Sequence, residues 1–129
     1  MNRARDLPAL SDAQLEVMQQ VWSRGEATVT DVWKAISSQR VVARNTVLTV
    51  IDRLEKKGWL SRRAVANTHF YKATVTQRKT MSHLIQNLAT TAFQGATSSL
   101  IVAMLENTKL SDKELDTIAA LIEEKKKSG

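Results

Sequence analysis

The chain has 129 residues, of which 43% are hydrophobic, and its 19 Lys and Arg exceed its 13 Asp and Glu, giving a formal net charge of +6 at pH 7. This length and composition suit a globular protein with one domain or two small ones. The sequence has no cysteine, which excludes disulfides, thiolate metal sites and cysteine nucleophiles.

Other classes of protein are excluded by patterns that the sequence lacks. His69 and His83 are far apart and belong to no zinc-binding spacing, so we expect neither a metal site nor another cofactor. The amino-terminal MNRARDLPALSD lacks the apolar segment of a secretory signal, and no stretch reaches the length of a membrane span. We therefore expect a soluble, cytoplasmic protein with no part inserted in a membrane.

Two helices are predicted first, each preceded by residues typical of a helix start. Ser11 and Gln14 have the spacing of a capping box, and the apolar stripe that follows them ends at Gly25. Thr28 and Asp31 predict a second cap. The stripes comprise Leu15, Met18, Val21 and Trp22 in the first helix, and Val29, Val32, Trp33 and Ile36 in the second.

A third helix, from about Arg44 to Lys57, has the clearest amphipathic pattern and should end at Gly58. Three short helices with compact connections predict a tri-helical core. Apolar residues recur on one face of the third helix at helical spacing: Val47, Val50, Ile51 and Leu54.

The pattern becomes strand-like after the third helix. The segments WLSRRAV and THFYKATV are rich in aromatic and β-branched residues, and they flank Ala66 and Asn67, a predicted tight turn of open type. An isolated hairpin is only marginally stable, so it must pack on the helices. We therefore predict a mainly α-helical protein with a small β-hairpin, in which residues 1–75 form a winged helix-turn-helix domain that binds DNA.

Residues 76–129 are predicted to be helical again. A break is expected near Gly95, and Ser111 to Glu114 forms a further capping box. Three short amphipathic helices make a thin core, which would bury its apolar faces better against an identical copy. We therefore predict a helical dimerisation domain. The residues predicted to form the dimer contact are Leu84, Leu88, Leu100, Ile101, Met104, Leu115, Ile118 and Ile122.

The net positive charge lies in the half of the chain that is predicted to bind DNA. Residues 1–79 hold 14 Lys and Arg against 7 Asp and Glu, a net +7, whereas residues 80–129 hold 5 against 6, a net −1. One or two surplus charges need no functional explanation. A surplus of this size in one half is better explained by a polyanionic partner for that half.

The third helix carries the predicted contacts to DNA. In a helix-turn-helix protein, the first residues of this helix reach base edges and the rest align it on the backbone. Asn45 can pair with adenine or bond a phosphate, whereas Thr46 and Thr49 offer hydroxyl and methyl groups. Arg44 can read guanine or a phosphate, and Arg53 adds charge towards the backbone. The simpler interpretation is an ordinary solvated face, but the neighbouring elements and the charge distribution favour DNA contact.

The hairpin adds a second group of candidates. Arg62, Arg63, Asn67 and His69 would lie on the wing, where their role would be phosphate or minor-groove contact; the alternative is an ordinary polar hairpin face. Tyr71 can offer its hydroxyl to a phosphate or serve equally as a core residue of the wing.

Enzymatic activity is not expected. The four glycines form no phosphate-binding loop, and the scattered carboxylates form no acid–base pair. Two alternatives to sequence-specific DNA binding remain open. One is a winged helix that mediates protein–protein interaction, and the other is a protein that binds nucleic acid without sequence preference.

The motifs resemble those of the penicillinase-repressor family of bacterial regulators, of the BlaI/MecI/CopY type. The segments that carry the resemblance are LSDAQLEVMQQVW, VTDVWKAI, NTVLTVIDRLEKKGWLSRR and FYKATV. The resemblance implies a homodimeric winged helix repressor that binds a palindromic operator, with the carboxyl-terminal helices as the dimer contact. It places Asn45, Thr46 and Thr49 where family members touch the major groove.

Three departures from the family pattern bear on the operator and the inducing signal. Leu48 stands where several members have a basic residue, and the cysteine pairs of the copper-responsive branch are absent. In the penicillin-responsive branch, a membrane sensor-protease system inactivates the repressor by cleavage between Asn and Phe. The matching positions here are Ala103 and Met104.

Overall fold

The computed structural model describes residues 7–129 and divides the chain into two compact units, Met1–Ile85 and Gln86–Gly129. The predicted DNA-binding domain and the amino-terminal segment both begin with residues 1–6, which lie outside the described residues. Six helices and one two-stranded sheet form within residues 7–129, and the predicted fold class is confirmed.

The first two helices begin and end as their sequences predict. Helix α1, Asp12–Arg24, follows a capping box in which the Ser11 hydroxyl accepts from the Gln14 amide and the Gln14 side chain accepts from the Ser11 amide. It ends at Gly25, whose positive φ of 80° suits glycine. Helix α2, Val29–Ser37, begins with a second capping box, formed by Thr28 and Asp31.

Helix α3, Arg44–Lys56, completes the tri-helical core. Val47, Ile51 and Leu54 are buried, and Val50 packs against the core from its edge. The sequence prediction of this buried face is confirmed. Because one side of α3 is fixed by the core, its opposite side is presented to solvent in a defined orientation.

The wing is an antiparallel hairpin joined to the helices by a third segment. Strand β1, Leu60–Val65, pairs with β2, Thr68–Ala73, across the predicted two-residue turn. Ala27, between α1 and α2, forms an additional bridge with Tyr71 through backbone hydrogen bonds of 2.8 and 2.9 Å. The wing is therefore hydrogen-bonded to the helix-turn-helix and does not depend on side-chain packing alone.

The turn of the hairpin contains a strained alanine. Ala66 has a positive φ of 55°, a conformation that costs an L-residue roughly 1–2 kcal/mol. Glycine adopts this conformation without strain, but it loses more conformational entropy than alanine on folding, at a cost of roughly 0.5–1 kcal/mol. We expect Ala66→Gly to raise the free energy of unfolding by about 0.5–1 kcal/mol, as measured by urea unfolding.

Ala64→Gly, in the exposed part of β1, is the matched control for Ala66→Gly. This residue lacks a positive φ, so the same change should lower the free energy of unfolding. Equal destabilisation by both variants would contradict the assignment of strain to Ala66.

The second unit consists of the end of α4 (Gln77–Thr91), α5 (Thr97–Asn107) and α6 (Asp112–Ser128). A break follows α4, where Gln94 and Gly95 both have positive φ. Helix α6 begins with the predicted capping box of Ser111 and Glu114, yet none of its residues is buried. This unit therefore has little core of its own within a single chain.

Candidate nucleic-acid interface

The outward side of α3 carries the polar side chains that were predicted to contact DNA. Arg44, Asn45, Thr46, Thr49 and Arg53 are all exposed. Asn45, Thr49 and Arg53 follow one another at four-residue spacing and so form a row along the helix. The Thr49 hydroxyl donates to the Asn45 carbonyl oxygen at 2.9 Å, which leaves its own oxygen available as an acceptor.

The amino end of α3 differs from those of α1 and α2. Its N-cap residue, Ala43, supplies no side-chain hydrogen bond, so no capping side chain covers the first backbone amides of the helix. The Arg44 Nε donates to the Thr30 hydroxyl of α2 at 3.2 Å. Hydrogen-bond donors and the positive end of the helix dipole are thus presented together at this edge.

Two long-range contacts hold the turn that leads into α3. The Trp33 indole of α2 donates to the Val42 carbonyl oxygen at 2.9 Å. Arg40 forms two hydrogen bonds with the Glu16 carboxylate of α1, at 2.6 and 3.2 Å, and these hold the pKa of Glu16 below its usual value. These contacts connect the turn to α1 and α2 and so help to position α3.

Both predicted wing arginines are held by carboxylates of the protein itself. The Arg62 Nε lies 3.1 Å from a carboxylate oxygen of Glu55, near the carboxyl end of α3. Its Nη1 lies 3.3 Å from the His69 Nδ1 on β2. The Arg62 side chain therefore connects the wing to the carboxyl end of α3.

Arg63 is held more firmly than Arg62. Its Nε and Nη2 donate to the two carboxylate oxygens of Glu26 at 2.8 and 2.7 Å. Its guanidinium carbon lies 5.3 Å from the centroid of the Phe70 ring, within cation–π range. The hydrogen bonds from Arg63 hold the pKa of the Glu26 carboxyl below its usual value.

Tyr71 is buried, with 2% of its surface exposed, and belongs to the hydrophobic core. It also contributes to the wall of a cleft of about 430 Å³ between the start of α2, α3 and the wing. Its burial agrees with the alternative that Tyr71 is a core residue of the wing. A contact between its hydroxyl and a phosphate stays a prediction. The cleft is lined by Thr28, Val29, Thr30, Arg44, Leu48, Asn67, Thr68, His69 and Tyr71.

The predicted dimer-contact residues differ in exposure. Exposure is 46% for Leu88, 49% for Ile101, 59% for Met104, 43% for Leu115 and 48% for Ile122. Three others are less accessible: Leu84 and Ile118 are half-buried, and Leu100 is buried at 6%. The second unit, Gln86–Gly129, also exposes apolar side chains that were not predicted as dimer contacts: Val102, Leu105 and Leu121.

Sequence reasoning missed Glu26, Glu55 and Thr30, which lie at the candidate interface. Glu26 is 37 residues from the arginine that it binds, and no local pattern marks such a pair. The predicted helix cap at neighbouring Thr28 indicated only that this turn has a defined conformation.

Among residues 7–129, no group of His, Asp or Glu side chains has an arrangement that could hold a metal ion. None of the helices in this same range is long and apolar enough to cross a membrane.

Comparisons with known proteins point to one family. The family model for "Penicillinase repressor" matches residues 10–124. The penicillinase repressor of Bacillus licheniformis is 26% identical over 122 residues, which cover 95% of each chain. The methicillin resistance regulatory protein MecI of Staphylococcus aureus is 25% identical over 116 residues, covering 90% of this chain and 94% of that protein.

A solved structure adds a likeness in three dimensions. The monomeric form of Bacillus licheniformis BlaI in complex with the blaP half-operator is 29% identical to this chain, with a TM-score of 0.50. The match covers 57% of this chain and 89% of that one.

Proposed function

Since this chain belongs to the penicillinase repressor family, a family of DNA-binding transcriptional repressors, we propose that it represses transcription as a homodimer on a palindromic operator. The resemblance drawn from its motifs is correct, and the family agrees with the expectation that the protein is not an enzyme. The proposed site of action is the cytoplasm, where the operator lies.

The observation that carries the proposal is the exposed row on α3 beside the wing. Asn45 and Thr49 are exposed on a helix whose opposite face is fixed in the core. A helix presented in this way fits the major groove, where amide and hydroxyl groups can read base edges. The operator complex of BlaI supports the same use of this fold, since that protein binds a half-operator.

We assign the contacts by chemistry. Asn45, Thr46 and Thr49 face the bases, with Arg44 at the uncapped helix start reaching a base or a phosphate. Arg53, further along the helix, faces the phosphate backbone. Arg62 and Arg63 are exposed on the wing and Tyr71 is buried in it, and their availability to DNA depends on the contacts they already make.

The second part of the proposal concerns assembly. Residues 1–75 would form the DNA-binding head, and residues 76–129 the dimerisation region. The apolar side chains that α5 and α6 leave exposed support this role, because a single chain does not bury them. A two-fold dimer would bury these side chains and would match the symmetry of a palindromic site.

The third part concerns inactivation by a membrane sensor-protease, which the resemblance implies. The matching bond joins Ala103 and Met104 within α5, where the Asn107 side-chain amide donates to the Ala103 carbonyl at 2.7 Å. Helix α5 would have to unwind there before a protease could hold the bond in extended form. Such a cut would divide the dimerisation region and leave α3 and the wing intact.

Binding-site selection tests the proposed function. The wild-type protein is used to capture duplexes from a random library, and the captured sequences are compared. We expect a palindromic sequence that binds roughly 10³-fold or more tightly than a scrambled duplex. A library that remains random after selection would contradict the proposal and favour binding without sequence preference.

The salt dependence of binding tests the assignment of Arg53. This residue is exposed and forms no ion pair within residues 7–129. We expect Arg53→Gln to reduce the slope of log affinity against log salt by about 0.9, the value for one phosphate contact. The loss of affinity should be similar on the selected and scrambled duplexes, because a phosphate contact carries no sequence information.

Lys113→Gln is the control for Arg53→Gln, since it removes the same charge from α6, outside the proposed surface. Its salt slope should match that of the wild type. A slope unchanged by Arg53→Gln would remove Arg53 from the interface.

A further inference from the structure

Glu26 occupies the part of Arg63 that is best suited to bind a phosphate. A guanidinium holds phosphate or carboxylate most effectively through two parallel hydrogen bonds from one edge. In Arg63 that edge, Nε and Nη2, is bound to Glu26 at 2.8 and 2.7 Å. A phosphate that needs this edge must first displace the carboxylate.

Displacement is disfavoured by the surroundings of the pair. The Arg63 guanidinium lies over the Phe70 ring, and Glu26 immediately precedes Ala27, which is hydrogen-bonded to Tyr71 of the wing. The backbone hydrogen bonds of the wing therefore place the two partners side by side. A phosphate approaching Arg63 would also meet the negative charge of Glu26, which repels it.

From this geometry we infer that Glu26 limits the affinity of the wing for the DNA backbone, by keeping Arg63 from phosphates. Binding to random duplex is supplied almost entirely by phosphate contacts. A wing arginine that is already occupied adds little to that binding, whereas base readout by α3 is unaffected. Glu26 thereby lowers the affinity for random DNA and for the operator by a similar factor, because a phosphate contact carries no sequence information. This inference rests on the proposed DNA-binding function.

A double-mutant cycle of Glu26→Gln and Arg63→Gln tests the inference in the full-length chain. Each variant is titrated with a scrambled duplex and with a duplex selected by the wild-type protein, over a series of salt concentrations. We expect Glu26→Gln to raise the affinity for scrambled duplex roughly two- to fivefold, the equivalent of an exposed ion pair. Its salt slope should steepen by about 0.9, because one more phosphate is neutralised. The affinity for the selected duplex should rise by a similar factor, so that the ratio of the two affinities stays near the wild-type value.

The Arg63→Gln background separates this effect from a general effect of charge. There, Glu26→Gln should change neither the salt slope nor the affinity for either duplex, because no arginine is left to release. An equal gain in both backgrounds would overturn the inference, since removal of a negative charge would explain it. A loss of affinity in Glu26→Gln would also overturn it, and would show that the ion pair orients the wing.

A stability measurement and the choice of duplex keep the outcome clear. Urea unfolding of each variant verifies that the folded state is retained at the temperature of the titrations. The cycle is read on scrambled duplex, so it stands even if the wild type proves to have no preferred sequence. That result would contradict the proposed function alone, whereas an unchanged salt slope in Glu26→Gln would contradict the role of Glu26 alone.

Discussion

Replacing Ile101 with Asp is expected to convert the repressor into a monomer and to weaken operator binding by about 10²–10⁴-fold, the usual gain from linking two binding modules. Ile101 is 49% exposed in the single chain, so the new carboxylate remains solvated in the monomer. In the proposed dimer the same carboxylate would be buried without a partner, which is strongly unfavourable. Sedimentation velocity and titration with the selected duplex measure the two effects.

Two companion proteins test whether assembly is the cause. Ser98→Asp introduces the same charge at an exposed polar position of α5 and should leave both the oligomeric state and the affinity unchanged. A chain ending at Ile85 retains the entire core cluster and should behave as Ile101→Asp does. A wild-type protein that sediments as a monomer, or an Ile101→Asp variant that binds the operator normally, would contradict the dimer proposal.

Replacing Asn45 with Ala is expected to cost about 1–3 kcal/mol on the selected duplex, the value of a good base contact. The cost on scrambled duplex should be much smaller, because no matching base is present to lose. Asn45 is exposed, and neither of its side-chain amide atoms bonds another described residue, so the variant should fold normally. The measurement is the ratio of the two affinities, determined at one salt concentration.

Arg53→Gln provides the contrast to Asn45→Ala. The arginine is expected to contribute to both duplexes equally, so its loss should leave the ratio near the wild-type value. Equal losses on both duplexes for Asn45→Ala would assign Asn45 to backbone positioning. Thr49→Ala can then be examined in the same way, with the difference that its hydroxyl already donates to the Asn45 carbonyl oxygen.

Features that depend on neighbouring residues could be predicted from the sequence. All three capping boxes form as predicted, because Ser or Thr bonds an amide only three residues away. The buried face of α3 follows from apolar spacing alone. The indoles of Trp22, Trp33 and Trp59 each donate to a backbone carbonyl at 2.8–2.9 Å and pack in or against the core, and Trp22 and Trp33 lie in the apolar stripes predicted for the first two helices.

Features that depend on distant residues could not be predicted. The ion pair of Glu26 and Arg63 forms only because the Ala27–Tyr71 bridge brings the α1–α2 turn beside the wing. The sequence therefore marks Arg63 as a cation without showing what it binds. In the same way, helical spacing places Leu100 in an apolar stripe, but it does not show that the single chain buries this residue while leaving Ile101 exposed.

The backbone bridge between Ala27 and Tyr71 has a consequence for how DNA must behave. It makes the base of the wing and the turn before α2 parts of one hydrogen-bonded sheet edge, so the base of the wing is held beside the helix-turn-helix before the duplex arrives. A duplex that contacts both α3 and the wing would then have to match the spacing between them through its groove width and curvature. Base steps that never touch a side chain would then influence affinity through their stiffness. Flexible pyrimidine–purine steps would favour binding wherever the duplex has to deform.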